Sequence, residues 1–298
     1  VSVDGGTIKL DGNYPTGTGN VALGDTALDA LTSGGNYNTA IGHQSLTANT
    51  SGASNTAVGR KTLTGNTTGT NNVAIGATAM DANTTGYDNV AVGAGALDVN
   101  TTGIQNVAIG ANSLDANTTA SGNTAVGKAS LGANTTGADN TAIGNGTLGA
   151  NTTGTRNVAV GSSQSGVDIG TLASNTTGDN NTALGFKALR SNTTADNNTA
   201  VGSNALGANT TGAFNVSLGA FTLDANTTAS HNTGIGYNSL SANTTGTRNV
   251  ALGSLALDAN TTANDNTAIG YEALGTNTTG GFNTAVGRDS LRANTTGA

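Results

Sequence analysis

Few side chains in this sequence are of the kinds that carry out chemistry. Its 298 residues include 10 Lys and Arg, 17 Asp and Glu, 2 His and no Cys. Without cysteine there are no disulfides, no thiol chemistry and no Cys-ligated metals. His43 and His231 stand at different positions of a repeated pattern, so neither pairs with a second histidine or with a nucleophile. We therefore predict no catalytic residue, no metal site and no cofactor site, and a protein that is not an enzyme.

Two local patterns resemble ligand sites. Residues 144–149 match the Gly-x-Gly-x-x-Gly spacing of dinucleotide-binding loops. Leu148 belongs to the repeated pattern, however, and no helix follows to receive a pyrophosphate, so we reject this match. Asp81, Asp98 and Asp115 occupy one position in three consecutive repeats, which predicts a column of like charges at ~5 Å spacing. No repeat has the Gly-Gly-x-Gly-x-Asp form that binds calcium, and a solvated polar face is the better interpretation.

Asn-Thr-Thr recurs throughout the chain and is formally an N-glycosylation acceptor. Turn formation already accounts for these residues, so we do not expect them to be modified. The net charge of −7 at pH 7 provides no basic surface and excludes nucleic acid as a partner. We also predict no membrane insertion within this segment.

The residues considered above as possible ligand or catalytic groups belong to a repeat that spans 20–298. Asn, Thr or Val, a small residue, an aliphatic residue and Gly recur in order, and this repeat glycine falls every 17 residues with two longer intervals. The repeat glycines are residues 24, 42, 59, 76, 93, 110, 127, 144, 161, 185, 202, 219, 236, 253, 270 and 287. Such constant spacing indicates that each copy forms one structural unit.

Side-chain alternation in the strand of each unit predicts two faces. The residues three and one before the repeat glycine, such as Thr56 and Val58, share one face because side chains alternate. Together with the leucine four residues after the glycine, such as Leu63, we expect them to form the core. Ala57 and Gly59 then lie on the opposite face. We expect that face to contact other chains, because small residues permit close approach.

Asparagine and threonine complete the unit. One Asn opens each strand, and a second Asn seven residues after the repeat glycine begins the Asn-Thr-Thr turn. Stacked units would align these residues in two Asn ladders. We therefore predict an all-β fold, a parallel β-solenoid or β-roll of sixteen 17-residue rungs with almost no helix, extending as a rod.

Two segments depart from the repeat. Residues 1–19 lack the pattern and are interpreted as an N-terminal cap or connector. Residues 162–171 replace the usual three residues between Gly161 and the next core leucine. We interpret this second segment as an insertion loop projecting from a rung.

The phrase Asn-Thr-Ala-Val-Gly, followed by Ala-Leu and Asn-Thr-Thr-Gly, resembles the repeats of bacteriophage tail fibres and of trimeric autotransporter adhesin heads. The resemblance covers 20–298 and implies a left-handed parallel β-roll in a homotrimer. It also implies a location outside the cell, on a cell surface or in a virion fibre. The 17-residue unit is longer than the roughly 14 to 15 residues of the adhesin heads.

These observations favour a non-enzymatic extracellular fibre or adhesin shaft that serves as a spacer or attachment rod. The expected partner is the chain itself, and a cell-surface glycan is a second candidate. One alternative is a subunit of a head-to-tail structural filament. Another is an ice- or polysaccharide-binding solenoid that uses its threonines. Adjacent residues such as Thr67 and Thr68 should point to opposite sides, so only one threonine rank per turn would face outward.

Overall fold

The computed structural model describes residues 17–32, 34–162 and 170–297. Within these ranges every regular element is a strand of three residues and there is no helix, as the sequence predicts. The strands are β1 (Val21–Leu23), β2 (Thr39–Ile41), β3 (Thr56–Val58), β4 (Val73–Ile75), β5 (Val90–Val92), β6 (Val107–Ile109), β7 (Thr124–Val126), β8 (Thr141–Ile143), β9 (Val158–Val160), β10 (Thr182–Leu184), β11 (Thr199–Val201), β12 (Val216–Leu218), β13 (Thr233–Ile235), β14 (Val250–Leu252), β15 (Thr267–Ile269) and β16 (Thr284–Val286).

The chain forms two compact units, Val1–Asn140 and Thr141–Ala298. In the N-terminal unit, β1 to β7 pair in parallel and in chain order. In the C-terminal unit, β8 to β16 do the same. Equivalent positions pair throughout, as Ala57 does with Ala74. The predicted fold class is thereby confirmed as an all-β parallel solenoid of about sixteen rungs, with about 17 residues in a rung.

The two strand faces are the reverse of the sequence prediction. The small residue two before the repeat glycine, the inner position, is completely buried inside the rung in most strands, as at Ala57, Ala74 and Ala108. The residues three and one before the glycine, the outer positions, are partly or substantially exposed in every described strand. Our expectation that these β-branched and aliphatic residues form the core was wrong. The alanine column is an internal surface and does not contact other chains.

The core leucine was predicted correctly. It is fully buried at Leu63, Leu97 and Leu131, and Met80 takes its place in one rung. Its backbone is left-handed, with φ of 51° at Leu63 and 54° at Met80. Steric clashes at positive φ are worst for β-branched side chains. This explains why the position holds Leu or Met in every rung and never Val or Ile.

The repeat glycine is required by the close stacking of rungs. At Gly93, φ is 138°, a conformation that only glycine adopts without strain. A Cβ atom added there would lie 2.5 Å from the carbonyl oxygen of Gly110 in the next rung. The close approach expected at this glycine is therefore present, but it joins successive rungs of one chain.

Two asparagine ladders fill much of the remaining interior, as predicted. Asn72 donates its Nδ2 hydrogens to Asn55 Oδ1 of the preceding rung at 3.2 Å and to the carbonyl of Gly86 at 2.8 Å. In the second ladder, Asn83 Nδ2 donates to Asn66 Oδ1 at 2.8 Å and to the same Gly86 carbonyl at 3.0 Å. Both ladders thus fix one turn carbonyl in each rung. Buried amides whose hydrogen bonds are satisfied carry little desolvation cost.

The departures from the repeat fall largely outside the described residues. Of the proposed cap or connector at 1–19, only 17–19 are described, and of the insertion at 162–171, residues 163–169 are not. On either side of the insertion the register is retained, because Val158 of β9 pairs with Thr182 of β10. Leu172, which follows the insertion, is fully buried like the other core leucines.

Candidate functional site

The outer positions form an exposed, largely apolar surface on each unit. In the N-terminal unit, Ile75 and Ile109 are 40% and 41% exposed. In the C-terminal unit, Leu184 and Leu218 are each 46% exposed. The outer positions hold Val, Thr, Ile or Leu and no charged residue in any described strand. We call this surface the outer face. Contiguous exposed apolar surface of this kind typically marks a protein interaction site.

The threonine pair of each turn divides as the sequence predicts. The first threonine is partly buried, and its Oγ1 donates to the next rung, as Thr67 does to the carbonyl of Thr84 at 3.1 Å. The second, such as Thr68, is exposed. One rank of threonine hydroxyls therefore faces solvent in each unit, as expected from strand alternation.

A second exposed column lies five residues before each repeat glycine, and we call it the corner column. Residues in adjacent rungs contact one another along it. The rings of Phe214 and His231 stack with centroids 5.1 Å apart and planes inclined by 2°. Arg248 Nε and Nη2 donate to the two carboxylate oxygens of Asp265 at 2.7 and 2.8 Å. The guanidinium of Arg248 lowers the pKa of the Asp265 carboxyl. These contacts join side chains of successive rungs along the column.

The acidic column behaves as like charges in adjacent rungs. Partial burial raises the pKa of Asp98, and the neighbouring carboxylates Asp81 and Asp115 raise it further. Burial also raises the pKa of Asp115, although backbone hydrogen bonds oppose the shift. Among the residues that the structure describes, no group of three His, Asp or Glu side chains has an arrangement that could hold a metal ion.

The remaining patterns from the sequence have structural roles. The asparagine of Asn-Thr-Thr, as at Asn66 and Asn83, is fully buried and donates both amide hydrogens inside the rung. A folded rung therefore does not present this amide to a glycosylating enzyme. In the 144–149 segment, Leu148 is a fully buried core residue and turns follow β8 where a nucleotide-binding loop would continue into a helix.

The histidines have separate local environments. His43 Nε2 lies 3.8 Å from Asp25 Oδ2, and both side chains are substantially exposed. His231 stacks on Phe214 within the corner column. Neither environment supplies a nucleophile that an imidazole could activate.

The sequence does not show which strand face is the outer face, because alternation shows only which residues share a face. One signal was present: the interior leucine is never replaced by a β-branched residue, whereas the outer positions often hold one. β-branched residues are favoured in strands, so their presence at the outer positions and their absence at the leucine position indicate that the leucine lies outside the strand.

No helix long and apolar enough to span a membrane occurs in the part of the chain that the structure describes. Comparison of the chain with models of known families, with curated proteins and with solved structures finds no match.

Proposed function

We propose that this chain is a non-enzymatic structural shaft of an extracellular or virion fibre that self-associates through its outer face. The observation that carries the proposal is the exposure of an uncharged aliphatic surface in rung after rung, represented by Ile75, Ile109 and Leu218. Burial of such surface releases on the order of 25 cal/mol per Å². A long array of small contributions therefore amounts to substantial association energy.

A second copy of the chain is the partner that fits this surface best. The outer positions repeat at the rung spacing of ~4.8 Å, and equivalent residues recur in each rung. A partner must have the same spacing to contact many consecutive rungs, and another copy of the chain has it. The resemblance to fibre and adhesin repeats favours three copies around an axis, with the outer faces turned inward.

The non-enzymatic part of the proposal rests on how titratable groups are arranged. Asp98 neighbours other aspartates, Asp265 pairs with Arg248, and His231 stacks on Phe214. Each of these contacts joins one rung to the next. Contacts from rung to rung of this kind do not place an acid, a base and a nucleophile around one substrate atom.

Light scattering coupled to size-exclusion chromatography tests the assembly, and negative-stain images test its form. The proposal predicts a discrete oligomer of fixed length, with a mass three times that of the 28.7 kDa chain for a trimer. A monomer at all concentrations would contradict it. Open-ended polymers would favour the head-to-tail filament. The recurring hydrogen-bond pattern between successive rungs supports this alternative, because a second chain could continue the same pattern at an end.

A cell-surface glycan or an ice surface remains a secondary proposal for the exposed threonine rank represented by Thr68. Its test is retention of the assembled protein on immobilised polysaccharides, together with a measurement of thermal hysteresis. Absence of both effects removes this function without affecting the structural one.

A further inference from the structure

Every aromatic side chain that the structure describes is exposed. Aromatic residues usually dominate cores and interfaces, because they bury large areas and stack with defined geometry. Here the rung interior holds none of them. Two belong to the N-terminal unit and six to the C-terminal unit: Tyr37 and Tyr87, and Phe186, Phe214, Phe221, Tyr237, Tyr271 and Phe282. The rings therefore contribute little to the core of the chain that carries them.

Four of these rings form what we call the aromatic flank. They stand one or two residues after the repeat glycine, close in sequence to the last outer position of a strand: Phe186, Phe221, Tyr237 and Tyr271. Tyr237 is 54% exposed. The same two positions in the N-terminal unit hold small, polar or charged residues, among them Arg60, Lys61, Ala77, Thr78, Ala94, Ala111 and Lys128. The outer face of the C-terminal unit thus has an aromatic edge that its N-terminal counterpart lacks.

Contacts within the C-terminal unit hold these rings in place. Phe221 and Tyr237 meet edge to face, with centroids 6.3 Å apart and planes inclined by 86°. Lys187 Nζ lies 4.9 Å from the centroid of the Phe186 ring. The guanidinium carbon of Arg288 lies 5.4 Å from the centroid of the Tyr271 ring. Rings positioned in advance lose less conformational freedom when a partner covers them.

Phe221 also occupies an unfavourable backbone conformation. Its φ is 55°, in the left-handed region that bulky residues rarely adopt. Asn112, Asn204 and Asn238 fill the equivalent position in other rungs, and asparagine tolerates this region well. Phenylalanine at this site strains the backbone more than asparagine does, and 38% of Phe221 remains exposed in its own chain. A partner that covers the ring supplies the compensating burial.

We propose that the aromatic flank is the anchor of self-association, so that the C-terminal unit holds the copies together more strongly than the N-terminal unit. This inference rests on the proposed function, because it takes the partner to be a second copy. Charges near the flank are of mixed sign, with Lys187 and Arg288 beside Glu272 and Asp289. Charges of both signs around an apolar centre are typical of protein–protein interfaces. They do not form the positive surface that would attract nucleic acid or an anionic membrane. Aromatic residues and arginine are also the side chains that most often dominate binding energy.

The test is sedimentation velocity over a concentration series with the full chain. The double variant Phe221→Ala and Tyr237→Ala should raise the dissociation constant of the assembly at least about thirtyfold. Arg60→Ala with Thr78→Ala is the matched control, which alters flank positions of adjacent rungs in the N-terminal unit. It should change the constant less than about threefold.

Phe221→Asn provides a readout that a purely structural role would not produce. Asparagine relieves the backbone, so this variant should melt at a temperature at least as high as the unaltered chain when both are dissociated by dilution. It should nevertheless assemble more weakly. Lower melting in dilute solution would show that Phe221 stabilises its own rung, and this would overturn the inference.

The outcomes separate this inference from the proposed function. An unaltered chain that assembles, with a double variant that assembles equally well, overturns the anchoring role and leaves self-association intact. A chain that is monomeric at every concentration overturns both. Should the double variant fail to fold, Tyr237→Ala alone decides, because Tyr237 does not have the positive φ of Phe221.

Discussion

The inner and outer faces of a single strand differ in a way that apolar size does not explain. In β6, Ala108 is fully buried whereas its larger neighbour Ile109 is 41% exposed. The rung interior is already occupied by a leucine from the turn and by two asparagine ladders, so only a small side chain such as Ala108 or Ser217 fits beneath the strand. The chain buries the small strand residues, the turn leucines and the asparagine amides, and it presents the aliphatic residues of the strands outward. Burial in a narrow solenoid is therefore decided by the available space, and the outward aliphatics are left for a partner.

The largest expected effect comes from a charge placed in the interior. Leu131→Asp puts a carboxylate at a fully buried position and should destabilise the N-terminal unit by at least about 4 kcal/mol. Thermal melting followed by circular dichroism measures it. Val126→Asp, at an outer position of the same rung, is the control and should lower the melting temperature far less. Equal losses from both variants would contradict the difference between the faces.

Backbone stacking can be tested with glycine. Gly93→Ala places a Cβ against the carbonyl of Gly110 at φ 138° and should cost about 2–4 kcal/mol. Gly132→Ala is the matched control, because Gly132 does not have a positive φ and a Cβ there would come no closer than 3.3 Å to the Asp115 carboxylate, a flexible side chain. The equivalent position of the preceding rung already holds Asp115. The cost of Gly132→Ala should stay below about 1 kcal/mol. Denaturant unfolding distinguishes the two, and a reversed order would show that the rung contacts are misassigned.

The left-handed core position gives an effect of intermediate size. Leu131→Ile preserves volume but places a β-branched residue at φ 51°, and should cost about 1–2 kcal/mol. Leu131→Met should cost less than about 1 kcal/mol, since Met80 already fills this position in another rung. Denaturant unfolding measures both variants. Equal stability would show that the left-handed backbone at this position does not disfavour β-branched residues.

Acid should stabilise the acidic column, with the smallest of these effects. Burial and the neighbouring aspartates raise the pKa of Asp98, so the folded chain binds a proton more readily than the unfolded chain. The stability of the N-terminal unit should therefore fall as pH rises from the unfolded pKa of about 3.9 through the raised value. Asp98→Asn should be more stable than the unaltered chain at pH 7 and should weaken this dependence. If the melting temperature of the unaltered chain rose relative to that of Asp98→Asn over this pH range, the predicted direction of the Asp98 effect would be wrong.

Much of the fold could be predicted from spacing. The constant interval between repeat glycines fixed the rung length, and Asn72 and Asn83 form the ladders that their positions indicated. Which strand face lies inside could not be read from alternation, because both faces consist of small or apolar residues. The left-handed turn that directs Leu131 inward was also hidden, since leucine is not a residue that normally marks positive φ.

The candidate site was less predictable than the fold. We expected the self-contact on the alanine column, but this column is buried within the rung, as at Ala108. In the corner column, Phe214 and His231 stack and Arg248 pairs with Asp265, and the sequence pattern did not indicate either contact. Contacts of this kind depend on distances between rungs, which a single sequence does not provide.

The most direct test of the reversed faces compares Ala108→Glu with Ile109→Glu, two adjacent substitutions in β6. Each variant is followed by thermal melting and by light scattering. The account predicts that Ala108→Glu melts at a much lower temperature, because it buries a charge. Ile109→Glu should keep its fold and lose its assembly. An Ala108→Glu variant that melts like the unaltered chain but dissociates would place alanine on the outside and contradict the account.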